Sequence, residues 1–260
     1  MLTALLDLLY PQRCRVCRTR GTPVLCELCR SDFAAVSPPF CPRCGCPRTG
    51  TADRCAPCRS GDVPFAVARS MALYEGRLRA AIHRLKFDGR GELGPILGDL
   101  LAAFVRQNAD LKAPDLVVPV PLHPSREAER GYNHAALLAL PVASALGVPL
   151  VPRALLRVAL TAPQSELRRA ARRRNVQGAF RVGRAVAEIR RKAVLLVDDV
   201  MTSGATAAEC ARTLLEAGAD AVAVATLARA VPPRGAVRSL RSGAAGATGS
   251  RKIAPAARTG

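Results

Sequence analysis

Asp198 and Asp199 are adjacent carboxylates set between an apolar run, Val194 to Val197, and a small hydroxyl-rich stretch, Thr202-Ser203-Gly204-Ala205-Thr206. The apolar run predicts a strand covered on both faces. Open α/β sheets bind ligands at the carboxyl ends of their strands, which is where the two acids fall. Thr206-Ala-Ala-Glu209 reads as a capping box that opens an Ala/Leu-rich helix running to Gly218. Free N–H groups at a helix start, behind a glycine-containing turn, make a seat for a phosphate. Carboxylates beside that seat would repel a phosphate; they suit hydroxyls or a metal. A ligand with a phosphate at one end and a diol beside it is a ribose 5-phosphate. The competing reading is an acidic pair that merely ends a strand. Strand, acids, hydroxyl turn and capped helix in one order make that the weaker reading.

The second constellation is sulfur. Nine of the ten cysteines lie within residues 14–58. Cys14-x-x-Cys17 with Cys26-x-x-Cys29 forms one quartet, and Cys41-x-x-Cys44 with Cys55-x-x-Cys58 forms another. A Cys-x-x-Cys knuckle turns two thiolates onto one tetrahedral Zn²⁺, and a second knuckle closes the site. Two structural Zn²⁺ ions are expected, with Gly45 supplying a tight turn after Cys44. A disulfide framework would need an oxidising compartment, and a redox Cys-x-x-Cys would not need four copies. Cys46 and Cys210 read as structural.

The rest of the chain must hold these groups in place. Its 260 residues suffice for one α/β domain and a small module. The leading Met-Leu-Thr-Ala-Leu-Leu-Asp-Leu-Leu-Tyr-Pro segment has no basic start and reads as a short amphipathic helix. No run approaches the length of a membrane span. A cytoplasmic location with reduced thiols follows as the expectation. The net charge is +19, from 39 basic and 20 acidic residues. The excess concentrates in residues 161–191 and in the tail from 232 to 260, which suggests nucleic acid or phosphorylated ligands. The competing reading is coding bias, since nearly all the basic residues are Arg. No Trp and only 3% aromatic residues argue against a base-stacking platform.

Strands are predicted at residues 68–74, 116–122, 150–156, 179–182 and 221–227. Helices are predicted at 77–85, 92–108 and 135–146, the last kinked at Pro141. Residues 123–134 read as polar and turn-forming. Alternating strands and helices imply a mostly parallel sheet. The expected division is a helix and zinc module over 1–63, an α/β domain over 64–231 and a disordered basic tail over 232–260.

The acidic-pair pattern resembles the 5-phosphoribosyl pyrophosphate (PRPP) motif of type I phosphoribosyltransferases. Four further motifs extend the likeness: Leu85-Lys-Phe-x-Gly89, Pro119-Val-Pro-Leu-x-x-x-Arg126, Arg130-Gly-Tyr-Asn133 and Gln164-x-x-Leu-x-x-x-x-Arg172-x-x-Asn175. Together with the cysteine knuckles, in this order, they resemble the ComF family over residues 5–230. That family joins a double zinc ribbon to a type I phosphoribosyltransferase domain and is associated with natural competence. Ser203 departs from a commoner Thr, and His134 from a common Gln. The resemblance implies an α/β fold with helices on both faces of a mostly parallel sheet. It implies that Asp198 and Asp199 meet the ribose hydroxyls and that Thr202, Ser203, Gly204, Ala205 and Thr206 hold the 5-phosphate. Lys86, Val120, Pro121 and Arg126 would belong to the pyrophosphate loop, and Gln164, Arg168, Arg172 and Asn175 to a flexible hood. Mg²⁺ would accompany PRPP. Two functions compete: a PRPP-dependent transferase, and a PRPP-sensing accessory protein that meets single-stranded DNA and the competence machinery. No residue stands out as a general base.

Overall fold

The apolar runs offered as strands form the centre of the molecule. A computed structural model describes residues 12–48, 53–61, 63–111, 113–159 and 176–231. Val67–Leu73 (β1), Leu116–Pro119 (β2), Ala193–Met201 (β5) and Ala221–Arg229 (β6) make one sheet in the order β1-β6-β5-β2, with every pairing parallel. Leu155–Arg157 (β3) and Phe180–Val182 (β4) form a separate antiparallel pair. The strand expected over 150–156 is thus mostly irregular, touching β2 by a single bridge from Leu150 to Val117.

Side chains alternate across a strand, so each strand feeds two cores. Val194, Leu196, Val222 and Val224 pack with Cys210, Ala211 and Leu214 of helix α8 (Ala205–Glu216). Leu195, Val197, Ala225 and Leu227 pack on the other face with helices α3 (Gly76–Phe87), α4 (Leu93–Gln107) and α6 (His134–Leu146). The sheet is therefore covered on both faces, which is why its strands read as continuous apolar runs. Short helices α1 (Glu27–Ser31) and α2 (Ala56–Arg59) each follow a knuckle cysteine, and α7 (Val186–Ile189) precedes β5.

Residues 124–130, expected as turn, form helix α5 (Pro124–Arg130). His123 caps it by accepting from Ser125 N, Pro124 suits the first turn, and Gly131 ends it at φ +78°. The capping signal outweighs the polar composition that suggested a loop. Helix α6 runs through Pro141, which packs on α4 at Gly98.

β1 lies at the edge of the sheet, and an open edge invites unwanted pairing. The cysteine-rich segment covers it. Ala68 N donates to Arg43 O at 2.7 Å and Leu73 N to Ala34 O at 2.7 Å, while Val36 N donates to Met71 O at 3.3 Å. Gly45 sits at φ +64°, and a Cβ there would stand 2.9 Å from Ala68 O. The tight turn expected after Cys44 is thus also the point of contact with the sheet.

The α4–α6 contact tests the packing. A Cβ on Gly98 would lie 2.8 Å from Pro141 Cγ and 3.0 Å from Leu138 O, neither of which can swing aside. Ala at a helix interior gains about 1 kcal/mol over Gly. Overpacking of this kind costs about 1–3 kcal/mol. Gly98→Ala is therefore expected to lose up to about 2 kcal/mol in urea unfolding, the overpacking cost less the helix gain; a stabilised variant would contradict the close approach.

Candidate functional site

Asp198 and Asp199 occupy the carboxyl end of β5, beside Thr226 of β6. Each carboxylate accepts from the next backbone amide: Asp198 Oδ1 from Asp199 N at 2.9 Å, and Asp199 Oδ1 from Val200 N at 2.6 Å. Those bonds fix the side chains without neutralising them. Asp199 is only 2% exposed, so its charge needs a partner. Lys86, near the end of α3, supplies it with Nζ 2.5 Å from Asp199 Oδ2. This is an ion pair rather than a well-directed hydrogen bond, since no protein donor meets that oxygen at good angle. His134, the first residue of α6, brings Nε2 to 3.4 Å of the same oxygen. Its Nδ1 lies 3.3 Å from Arg130 Nη1, which can only donate. An imidazole that accepts there carries its proton on Nε2, on the side of Asp199, without a hydrogen bond to that oxygen. Burial, followed by the charges of Lys86 and Arg130, holds the His134 pKa well below the usual imidazole range.

Burial also raises Asp198 to about 6, while Lys86 and Arg157 pull it back. Burial lowers Lys86 to about 8, with Asp198 opposing and Arg130 adding to the fall. The site thus holds two carboxylates and an internal cation.

Next to the acids is the hydroxyl loop. Gly204, at φ +82°, caps α8, so the helix begins at Ala205. This corrects the expected capping box at Thr206. The left-handed glycine starts the helix before Thr206, and Glu209 instead accepts from Gly178 N at 2.7 Å. Ser203 Oγ accepts from Ala205 N at 3.4 Å. Asp198, Thr202, Gly204, Ala205, Thr206 and Thr226 line a hollow of about 20 Å³. That is room for about one water.

A larger cavity of about 380 Å³ is lined by Lys86, Phe87, Arg126, Arg130 and Tyr132, with one carboxylate, Glu129. Val120 and Pro121 lie buried between β2 and this region. Asn133 caps α6 and donates from Nδ2 to Val120 O at 3.1 Å, tying the post-β2 loop to the His134 helix. The structure therefore gathers Lys86 and Arg126 at one cavity, and Asp198, Asp199, Thr202, Gly204, Ala205 and Thr206 at the adjoining strand end. Gln164, Arg168, Arg172 and Asn175 lie outside the described residues. Sequence reasoning missed His134 and Arg157 as parts of the site. The Arg130-Gly-Tyr-Asn133 motif signalled the first, since it opens α6; nothing local marked Arg157.

Both cysteine quartets assemble. In each, sulfur atoms of all four residues lie within 4.8 Å of one another. A fit to zinc can be judged from neighbouring charge. Arg77 Nη1 donates to Cys29 Sγ at 3.1 Å. Arg229, 2% exposed, donates from Nη1 to Cys44 O at 3.2 Å and holds Nη2 3.9 Å from Cys44 Sγ. A buried guanidinium beside four neutral thiols would be unpaired; beside four thiolates around Zn²⁺ it faces a negative centre. The donor sets fit structural zinc. A third group, His134 with Asp198 and Asp199, also falls within 4.8 Å. Its fit to a directly held cation is poor, because Lys86 occupies Asp199 Oδ2 and His134 presents a proton there. No helix among the described residues is long and apolar enough to cross a membrane.

Comparison with known proteins follows the same division. Residues 5–59 match the double zinc ribbon domain family and residues 133–240 the phosphoribosyl transferase domain family. The chain is 35% identical over 228 residues to the DNA utilization protein YhgH of Escherichia coli K12, covering 85% of this chain and 99% of that one. It is 32% identical over 209 residues to Competence protein F of Haemophilus influenzae, covering 79% and 90%. Among solved structures, the glutamine PRPP amidotransferase of B. subtilis aligns at 20% identity with a TM-score of 0.40, covering 56% of this chain and 30% of that one.

Two measurements check the site. Metal analysis of protein made without a His tag should find two Zn²⁺ per chain, falling to one in Cys41→Ser/Cys44→Ser; none, with oxidised cysteines, would refute the zinc assignment. Lys86→Met should destabilise by roughly 3 kcal/mol near pH 7, because a buried carboxylate loses its counter-charge. A carboxyl whose folded pKa is raised gives stability that is lost as pH rises through that value. Removing Lys86 raises Asp198 further, so the variant should lose stability more steeply than the parent as pH climbs past about 6. Above about 8 the parent's lysine sheds its proton in the folded state before the unfolded one, which adds to the parent's stability, and the gap should widen further. A pH-independent gap in urea unfolding would contradict the pairing.

Proposed function

This chain belongs to the ComF family, and on that premise we propose that it binds PRPP or a related ribose 5-phosphate ligand. Asp198 and Asp199 would take the ribose hydroxyls. Residues Thr202 to Thr206 would seat the 5-phosphate at the start of α8. The pyrophosphate would lie toward Lys86 and the loop Val120, Pro121 and Arg126, with the hood residues Gln164, Arg168, Arg172 and Asn175 closing over it. Mg²⁺ would ride on the ligand's own phosphate oxygens, as that ion commonly does, and not directly on Asp199. The reading is carried by one observation: a half-buried Asp198 and a buried Asp199, the latter paired from within by Lys86, stand beside a helix start lined with hydroxyls.

Such a site supports displacement of pyrophosphate at ribose C1 by an acceptor. Fixed cations would stabilise the charge growing on the leaving pyrophosphate. Asp198 at about 6 is ionised at neutral pH and able to accept from a hydroxyl. The second reading, a PRPP-sensing accessory protein that associates with single-stranded DNA and competence proteins, draws support from the relatives' names, DNA utilization protein and Competence protein. The same proposal divides the chain at residues 1–63, 64–231 and 232–260 and places it in the reducing cytoplasm, where zinc thiolates persist.

Calorimetry should detect PRPP binding in the presence of Mg²⁺. Asp199→Asn with Thr206→Ala should abolish it, at roughly 1.5–3 kcal/mol for each lost hydrogen bond to a charged group. Unchanged affinity in a folded double variant would overturn the site assignment. Pyrophosphate release on screening acceptors separates the transferase from the sensor.

A further inference from the structure

Phe87 is the last residue of α3 and remains 62% exposed. An isolated exposed aromatic needs no explanation, but this one has particular neighbours. The Arg130 guanidinium carbon lies 4.9 Å from the ring centroid. The His83 ring, one turn back on α3, lies 4.9 Å away at 48°. The cationic cavity of about 380 Å³ opens beside the same ring, lined by Lys86, Arg126 and Arg130 against the single carboxylate Glu129. These cations oppose one another. Arg126 adds to the effect of burial in lowering Arg130, and Arg130 adds to it in lowering Lys86. Cations packed so that each weakens the next are stabilised by an anion between them. The surface therefore combines an open aromatic face, with an arginine already stacked on the ring, and an anion pocket within reach.

We propose that Phe87, with His83 and Arg130, is a stacking platform for a nucleobase, and that the adjoining Lys86–Arg126–Arg130 cavity receives the phosphate joined to that base. The ligand class is a nucleotide unit, free or within a single-stranded nucleic acid. Base-on-aromatic stacking tolerates any sequence because every base has a π-face, and arginine adds a cation–π contribution. The scarcity of aromatic residues in the whole chain does not weigh against this, since one well-placed ring anchors one base. The platform lies on α3 and α5, away from the hydroxyl loop at the start of α8.

The test uses full-length, zinc-loaded protein and a fluorescein-labelled dT15, read by anisotropy without PRPP. Phe87→Ala should weaken binding about tenfold, the size of one lost stacked base, and Phe87→Trp should restore it. Arg130→Gln should weaken binding and flatten the log–log salt slope by about 0.7, one phosphate contact on a single strand. Competition with dTMP separates the sources. Displacement at comparable concentration identifies a free nucleotide as the ligand, and displacement only by oligonucleotides identifies a strand. Thr206→Ala, measured separately, should weaken PRPP binding and leave dT15 binding within twofold of the parent, so failure of the platform and failure of the PRPP site are told apart. Binding of dT15 by Phe87→Ala within twofold of the parent would overturn the proposal. So would the absence of binding of either probe, or binding lost on removal of residues 232–260 but indifferent to Phe87.

Discussion

A carboxylate buried to 2% exposure at the end of a central strand sets the terms for the surrounding structure. Asp199 would be costly to hold there alone, by several kcal/mol after relaxation. Its counter-charge comes from α3 through Lys86, and α6 brings His134 Nε2 to 3.4 Å of the same oxygen. These two helices lie on the same face of the sheet, and both must reach the strand end for the charge to be tolerated. Tyr132 ties them further by donating from Oη to Leu85 O at 2.6 Å, one residue before Lys86. The motifs Leu85-Lys-Phe-x-Gly89 and Arg130-Gly-Tyr-Asn133 are thus two halves of one device, joined by that bond and closed on Asp199.

The cysteine-rich segment solves a different problem. A parallel sheet of four strands has two edges, and β1 is one of them. A segment of some fifty residues without its own large core cannot cover that edge unless something staples it. Two sulfur quartets do so, each contributing buried sulfur to one of the two cores. The quartet of Cys41, Cys44, Cys55 and Cys58 packs with Met201 and Ala205, which flank the hydroxyl loop. The quartet of Cys14, Cys17, Cys26 and Cys29 instead meets α3 through Arg77. The zinc segment is therefore continuous with the cores on both faces of the sheet.

Much of this was legible in the sequence, and the gaps have physical causes. The strands at 193–201 and 221–229 declared themselves through the apolar runs 194–197 and 221–227, because both faces are buried. The knuckles declared themselves by spacing alone. The acids and hydroxyls of residues 198–206 lie together, since they follow one another along a single strand, turn and helix. The helix start inside that group was misplaced because Thr206 and Glu209 satisfy a local pattern, while Gly204 in a left-handed conformation satisfies a tighter one. Helix α5 was missed because its residues are polar all round and none of them is buried. The Lys86–Asp199 pair was invisible as a contact, since 113 positions of chain separate its members and no local rule spans them.

Charge, more than apolar area, explains why the zinc segment and the nucleotide-like site share one fold. Arg229 pairs in register with Met201 at the ends of β6 and β5. Its guanidinium is buried and directed at Cys44, so the strand end that carries the hydroxyl loop is also held by the cysteine quartet. Four neutral thiols could not balance that arginine, and four thiolates without metal would over-balance it at close range. The metal-bound quartet is the state in which the buried cation, the loop beside it and the strand edge are satisfied together. On that account the zinc at Cys41, Cys44, Cys55 and Cys58 supports the geometry of residues 201–206 directly. The quartet near Arg77 supports α3, and through it the position of Lys86. Each quartet, with its metal bound, would thus stand behind one part of the site, the hydroxyl loop for one and the internal cation of Asp199 for the other.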